Sequence, residues 1–158
     1  MLEKFNNGHH NINEVKNLMG MAVGRPTGER LQNLLDVVYD YEGYQLYVNN
    51  EAAEITGIIG VDISAAPHGW ILHLAILPEY RRQGKGRKLI DSVITELGLI
   101  SVGLETDQDA VDFYRVCGFD IKEIYSPWPN VRRYRCIKGN PPQSVLEYYN
   151  NKRLKMRE

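Results

Sequence analysis

The densest chemistry in the chain lies in residues 74–88, Leu-Ala-Ile-Leu-Pro-Glu-Tyr-Arg-Arg-Gln-Gly-Lys-Gly-Arg-Lys. Five cations, Arg81, Arg82, Lys85, Arg87 and Lys88, fall within residues 81–88, and no acid does. Gly84 and Gly86 lie among them. An apolar run ending at Leu77 precedes this cluster and Pro78 stops it, while a pattern of helical period follows. A strand, a glycine-rich cationic turn and a helix N-terminus together make an anion cradle. Glycine lets a ligand approach the backbone, free N–H groups point outward, and the helix dipole adds positive potential. A phosphate group is the anion such a turn suits.

The bulk numbers bound the rest. The chain has 158 residues, 43% of them hydrophobic and 25% charged, which is an ordinary globular composition with enough chain for a sizeable core. Net charge is −1, but unevenly spread. Residues 132–158 hold eight Lys/Arg against Glu147 and Glu158, and the chain outside the two basic stretches holds six cations against eighteen acids. One basic site in an acidic body suits an anionic cofactor and a cationic second substrate; a solvated acidic face is the alternative reading. No apolar stretch approaches a membrane span, nothing at the N-terminus reads as a signal peptide, and Cys117 and Cys136 are expected to be free thiols, so a cytoplasmic location is expected. The cysteines lack metal-ligand spacing and the four histidines supply no partner motif, so no metal is expected.

The elements that must position the cradle follow from periodicity and punctuation. Residues 1–6 read as a short strand. Asn11 or Asn13 caps a helix running to about Met21, with Ile12, Val15, Leu18 and Met19 at helical spacing. Gly24-Arg25-Pro26 breaks it, and Thr27 caps a second helix with Leu31, Leu34, Leu35 and Val38 on one stripe. Tyr44–Val48, a turn at Asn49-Asn50-Glu51 and a returning strand Ile55–Ile63 read as a hairpin, with Gly57 and Gly60 as sites for a bulge or close packing. Residues 65–69 are a loop and Trp70–Leu77 the next strand. The helix after the cradle carries Leu89, Ile90, Val93, Ile94 and Leu97, with Gly98 past its end. Leu99–Thr106 is a strand, and Asp107 or Asp109 caps a helix that Gly118 ends. Strands Phe119–Tyr125 and Arg133–Lys138 close the pattern around a Pro127-Trp128-Pro129 loop, and a basic tail over 139–158 is helical from about Ser144. Strand, helix and strand around the cradle form one parallel βαβ unit with a right-handed crossover, flanked by hairpins, so the sheet is mixed.

At this point the chain resembles the GNAT superfamily of acyl-CoA-dependent N-acetyltransferases. Arg81-Arg82-Gln83-Gly84-Lys85-Gly86 fits its Arg/Gln-x-x-Gly-x-Gly/Ala signature, after a strand ending Leu-Ala-Ile-Leu-Pro. Ala110, Tyr114, Gly118 and Phe119 fit its second signature, Ala-x-x-x-Tyr-x-x-x-Gly-Phe. The resemblance covers residues 1 to about 138, taken as one domain. It implies an α/β (α+β) fold, a mostly antiparallel mixed sheet with a splayed parallel strand pair and about four flanking helices. It implies that the backbone N–H groups of Gln83, Gly84, Lys85, Gly86 and Arg87 hold the pyrophosphate of acetyl-CoA, with Arg81 and Arg82 contributing charge. Leu74 and Ile76 would pair the pantetheine arm through their main chains, and Tyr114 matches the family's general acid.

For the general base, Glu105 matches a glutamate the family commonly uses; His73, Asp107 and a chain of waters are the alternatives. Many members place an asparagine seven residues before the tyrosine, where this chain has Asp107, which leaves Asp107 as a helix cap. Tyr114 as a core tyrosine and His73 as a half-buried strand histidine are the plainer readings of those two. Trp128 reads as a wall of the acceptor pocket or as a packed loop anchor. Arg132, Arg133 and Arg135 lack the aromatic platform that nucleic-acid binding would add. Val145, Leu146, Tyr148 and Tyr149 offer the tail a way to dock on the body or on a second copy in a homodimer. The reading is therefore transfer of an acetyl group from acetyl-CoA to a small-molecule or peptide amine, with no membrane partner; a non-catalytic acyl-CoA sensor on the same fold is the alternative.

Overall fold

A computed structural model describes residues 1–23 and 26–157, with backbone placement alone for 153–157. Seven strands form one mixed sheet in the order β1-β2-β3-β4-β5-β7-β6. They are β1 (Leu2–Lys4), β2 (Tyr44–Glu51), β3 (Glu54–Ala65), β4 (His68–Ile76), β5 (Ser101–Asp107), β6 (Asp120–Ile124) and β7 (Arg133–Lys138). The helices are α1 (Ile12–Ala22), α2 (Gly28–Asn33), α3 (Lys85–Leu97), α4 (Val111–Val116) and α5 (Gln143–Arg157). The β4–β5 pair is parallel, and β1–β2, β2–β3, β5–β7 and β6–β7 are antiparallel. None of these helices is long and apolar enough to cross a membrane.

The chain divides into two compact units, residues 1–64 with 71–97 and residues 65–70 with 98–158. In the first, α1 starts where predicted: Asn11 caps it, its side chain accepting from the N–H groups of Asn13 and Glu14. Val15, Leu18 and Met19 are fully buried and join Leu46, Val48, Ile55 and Ile58 in the core. Thr27 caps α2 through the N–H of Arg30. The expected single stripe is interrupted there, because Leu34–Val38 is a π-helical turn closed by the Tyr39 N–H on the Leu34 carbonyl at 2.9 Å. Gly24 and Arg25, two residues of the expected helix break, lie outside the described residues.

The hairpin turn differs from expectation. β2 runs through Asn49-Asn50-Glu51, and the chain reverses at Ala52 (φ 50) and Ala53 (φ 66). Two left-handed residues in a two-residue loop match the strand twist, which outweighs the alanines' dislike of positive φ. The register shifts between Asn49, opposite Gly57, and Asn50, opposite Ile55, so Thr56 is the extra residue of a bulge. The Thr56 carbonyl then accepts the N–H of Leu77 at 2.9 Å.

In the second unit the parallel ladder is short: His68 faces Ser101, Gly69 faces Val102 and Trp70 faces Gly103. Gly103 is forced by close approach, since a Cβ there would lie 2.6 Å from the Trp70 ring and 2.7 Å from Ile137. The tail's helix packs over this ladder. Tyr149 is 1% exposed and stacks on Trp70 with ring centroids 5.0 Å apart. Val145 and Leu146 border the same packing.

Candidate functional site

The first unit carries the anion cradle. A 3-10 turn, Pro78–Tyr80, leads into it and α3 leaves it. Arg82 (φ 63) and Gly84 (φ 74) are left-handed on either side of Gln83. Alternation of this kind curls a backbone so that successive N–H groups converge on an anion. Only glycine takes such a φ without cost, whereas Arg82 holds it under strain. The first helical bond of α3 runs from the Lys88 N–H to the Gly84 carbonyl at 3.0 Å. The N–H groups of Lys85, Gly86 and Arg87 therefore have no carbonyl one turn back. Gly86 is buried in this first turn.

The cradle's cations are not equivalent. Arg81 Nε donates to the Ile76 carbonyl at 2.9 Å and its guanidinium reaches the Met21 sulfur at 3.7 Å. Gln83 donates its side-chain amide to the Glu79 carbonyl at 3.2 Å. Lys85 is ion-paired with Glu51 at 2.8 Å. Arg82 and Arg87 remain exposed.

The backbone of β4 beside the cradle has an oriented edge. The Leu77 N–H bonds to β3, and the Ala75 carbonyl points the same way, 3.2 Å from where a Gly57 Cβ would sit. Strand alternation then turns the N–H and C=O groups of Leu74 and Ile76 to the other side. The paired residues of β4 with β5 end at Trp70.

His73, between these residues, accepts the Tyr39 hydroxyl on Nδ1 at 2.5 Å. Desolvation first, and the nearby Arg30 charge second, push the imidazole down to about 4. The ring is thus neutral near pH 7 and already held by Tyr39, which fits the plainer reading of a strand histidine.

The second unit carries Glu105 and Tyr114. Leu104 lies opposite Cys136, while Gly103, Glu105 and Asp107 lie opposite Ile137, Arg135 and Arg133. Since side chains alternate along a strand, Glu105 shares its face with Arg135 and Arg133, and Leu104 and Cys136 share the other. Tyr114, on α4, is 7% exposed; burial raises its phenol pKa, with Cys136 and Cys117 adding to the effect. Cys136 places Tyr114 on the Leu104 face, opposite Glu105. Phe119 packs edge-on to the Tyr114 ring at 5.5 Å, and its N–H bonds the Tyr114 carbonyl at 3.1 Å, the cap the Gly118-Phe119 pair predicts. The Tyr114 hydroxyl makes no hydrogen bond among the described residues.

Asp107 is an acceptor for the turn before α4: its Oδ1 takes the N–H groups of Asp109 at 2.9 Å and Ala110 at 3.2 Å. Neither Asp107 nor Asp109 is the N-cap of α4, which is Ala110 and has no side-chain cap. Gln108, which the sequence did not single out, fixes the Trp128 loop at two points. It donates to the Asn130 carbonyl at 3.2 Å and accepts the Arg132 N–H at 2.9 Å. Trp128 is 48% exposed, with the Arg133 guanidinium 5.7 Å from its ring.

One cluster of potential metal ligands also escaped the sequence reading. Glu3, His9 and His10 each bring one ligand atom within 4.8 Å of the others. The Asn6 N–H donates to His10 Nδ1 at 2.9 Å, which leaves the ring proton on Nε2, donated to Glu3 at 3.1 Å. The ring is thereby turned to tie β1 to the segment before α1, with no lone pair left for an ion.

The sequence profile described as the acetyltransferase (GNAT) family matches residues 10–119. No curated protein matches. Among solved structures, the ribosomal-protein-S18-alanine N-acetyltransferase of Escherichia coli superposes with a TM-score of 0.63 at 20% identity, over 87% of this chain and 90% of that one. A spermidine N-acetyltransferase from Vibrio cholerae gives 0.66 at 18% identity, over 87% and 93%. An aminoglycoside 6'-N-acetyltransferase complexed with coenzyme A gives 0.69 at 14% identity, over 90% and 99%.

Proposed function

Because the chain belongs to the acetyltransferase (GNAT) family, we propose that it moves an acetyl group from acetyl-CoA to a primary amine by direct attack. The observation that carries this reading is the cradle, where left-handed Arg82 and Gly84 and the open N–H groups of Lys85, Gly86 and Arg87 suit a pyrophosphate. Gln83 and Gly84 add their N–H groups, and exposed Arg82 and Arg87 add charge. Arg81 acts at one remove, by holding the Ile76 carbonyl. In this reading the pantetheine arm pairs with the outward main chain of Leu74 and with Ile76 through its N–H, since Arg81 holds the Ile76 carbonyl, and that N–H is also the donor proposed for the oxyanion.

The amine nitrogen attacks the thioester carbonyl and the C–S bond breaks. Tyr114 gives its proton to the departing thiolate. Burial raises the phenol, and it would raise a thiolate lodged beside it in the same sense, so the two acidities stay matched. Glu105, directly or through water, takes the proton the ammonium loses before attack, and the second proton, lost from the attacking nitrogen as the C–S bond breaks, passes through water to restore the Tyr114 phenol. Its place on the face opposite Tyr114 suits a base on the acceptor side and an acid on the leaving-group side. The structural neighbours act on a protein alanine, spermidine or an aminoglycoside, all amines.

The test is free-thiol release from acetyl-CoA across a panel of primary amines, with mass spectrometry of the amine. Release together with acetylated amine is expected. Binding of acetyl-CoA without release for any amine would instead make the protein a sensor, and absence of binding would remove the cradle assignment.

A further inference from the structure

The β2–β3 hairpin ends on Glu51-Ala52-Ala53-Glu54, and both acids reach the cradle. The Tyr80 hydroxyl donates to Glu54 Oε2 at 2.8 Å. Lys85 Nζ donates to the two Glu51 oxygens at 2.8 and 3.0 Å, and the Asn49 amide donates to Glu51 Oε1 at 3.1 Å. The Lys85 ammonium also lies 5.6 Å from the centroid of the Tyr80 ring, so the two contacts adjoin. Tyr80 closes the turn before the cradle and Lys85 opens the helix after it. The hairpin therefore grips the cradle at both ends, and the four residues between contain both left-handed positions, Arg82 and Gly84.

A loop that holds a non-glycine residue at positive φ keeps that conformation only where its surroundings over-determine it. Untethered, these residues would sample other conformations, and ordering them on binding would subtract from affinity. The hydrogen bond from Lys85 lowers the Glu51 pKa and that with Glu54 raises the Tyr80 pKa, so Glu51 stays ionised and Tyr80 keeps its proton at neutral pH.

The geometry points to Glu51 and Glu54 as positioning residues that pre-order the cradle for an acyl-CoA pyrophosphate without touching it. This rests on the acetyl-CoA reading above. It makes the hairpin tip, far from Tyr114 and Glu105 in sequence, a determinant of cofactor affinity rather than of turnover.

Two measurements on the full chain test it. Hydrogen exchange of the segment from Glu79 to Lys88, without CoA, should be faster in Tyr80→Phe, Glu54→Ala and Glu51→Ala than in the unaltered protein. Calorimetry with acetyl-CoA should show about five- to tenfold weaker binding for each variant, in the range that loss of one ordering contact produces. Tyr80→Phe combined with Glu54→Ala should be no weaker than the weaker single variant, since both remove one bond. Glu54→Gln, which keeps an acceptor oxygen, should recover most of the affinity. In turnover assays the KM for acetyl-CoA should rise while kcat changes less than about twofold. Unchanged exchange in Tyr80→Phe, whose ring packing is intact, would overturn the inference, as would additive losses in the double variant. Failure of the unaltered protein to bind acetyl-CoA would remove the proposed function, and the exchange result would still decide the clamp.

Discussion

The Tyr39 hydroxyl lies 2.5 Å from Nδ1 of His73, and the direction of that bond is fixed by burial. Burial raises the phenol pKa and lowers the imidazole to about 4, so Tyr39 keeps its proton and donates it to a neutral ring. The bond joins the end of the π-helical turn to β4 next to Leu74. It thus links the segment after α2 to the strand proposed to pair the pantetheine.

A pH dependence of stability follows. An unfolded imidazole titrates near 6.5, and His73 in the folded chain titrates at about 4. Between those values the unfolded chain holds a proton that the folded chain lacks, so stability falls as pH drops from about 6.5 to about 4, then levels off with respect to this group. The loss is at most about 3 kcal/mol, less as far as solvent reaches the ring. Urea midpoints at pH 7, 6, 5 and 4 should fall more steeply for the unaltered protein than for His73→Gln. Parallel slopes would mean that other groups carry the acid sensitivity.

The opposed faces of Glu105 and Tyr114 separate two further effects. Tyr114→Phe keeps the ring among Phe113, Phe119 and Cys136 and removes only the proton donor. Turnover is expected to fall at least about tenfold while the Kd for acetyl-CoA stays within about twofold, the signature of a group used in the transition state. Glu105→Gln should lower kcat/KM for the amine by about tenfold or more, again with acetyl-CoA binding intact. Unchanged turnover in Tyr114→Phe would leave Tyr114 as a core tyrosine.

Local signals carried the elements, and distant ones did not carry the contacts. The Asn11 and Thr27 caps, the Gly118-Phe119 helix end and the strand–cradle–helix order are written in neighbouring residues. The hairpin turn was misread because Asn49-Asn50-Glu51 has turn composition whereas Ala52-Ala53 has none. There the bulge at Thr56 and the strand twist, both products of pairing, decide the reversal. Tyr39 with His73 and Lys85 with Glu51 are each 34 residues apart, and nothing in their local pattern marks them as partners. The cradle itself was legible, but not that Arg81 turns back to the Ile76 carbonyl.

The two cradle glycines should fail differently. Gly84 has φ +74, and a Cβ there would meet nothing within 4 Å. Gly84→Ala is therefore a conformational cost of about 1 kcal/mol with little steric effect, and acetyl-CoA binding should weaken without vanishing. Gly86 is buried at the start of α3, so Gly86→Glu puts bulk and negative charge where the pyrophosphate is proposed to sit, and binding should be lost. Calorimetry with acetyl-CoA beside thermal melts separates the two; binding retained in Gly86→Glu would sink the cradle assignment.

The tail's contribution should be mostly shape. Tyr149 is 1% exposed against Trp70, and its hydroxyl reaches the His68 carbonyl only at 3.4 Å. Removing the ring leaves a cavity over the parallel ladder, whereas removing the hydroxyl leaves the ring stack in place. Tyr149→Ala should cost about 3–5 kcal/mol and Tyr149→Phe about 0.5 kcal/mol. Gly103→Ala attacks the same packing from below, because its Cβ would stand 2.6 Å from a Trp70 ring that Tyr149 already covers. It should cost about 1–3 kcal/mol by overpacking. Combined with Tyr149→Ala it should cost less than the sum, since an uncovered Trp70 has room to move. Urea denaturation of the three single variants and the double decides this. Strict additivity would show that the tail helix and the ladder do not share Trp70 as their common contact.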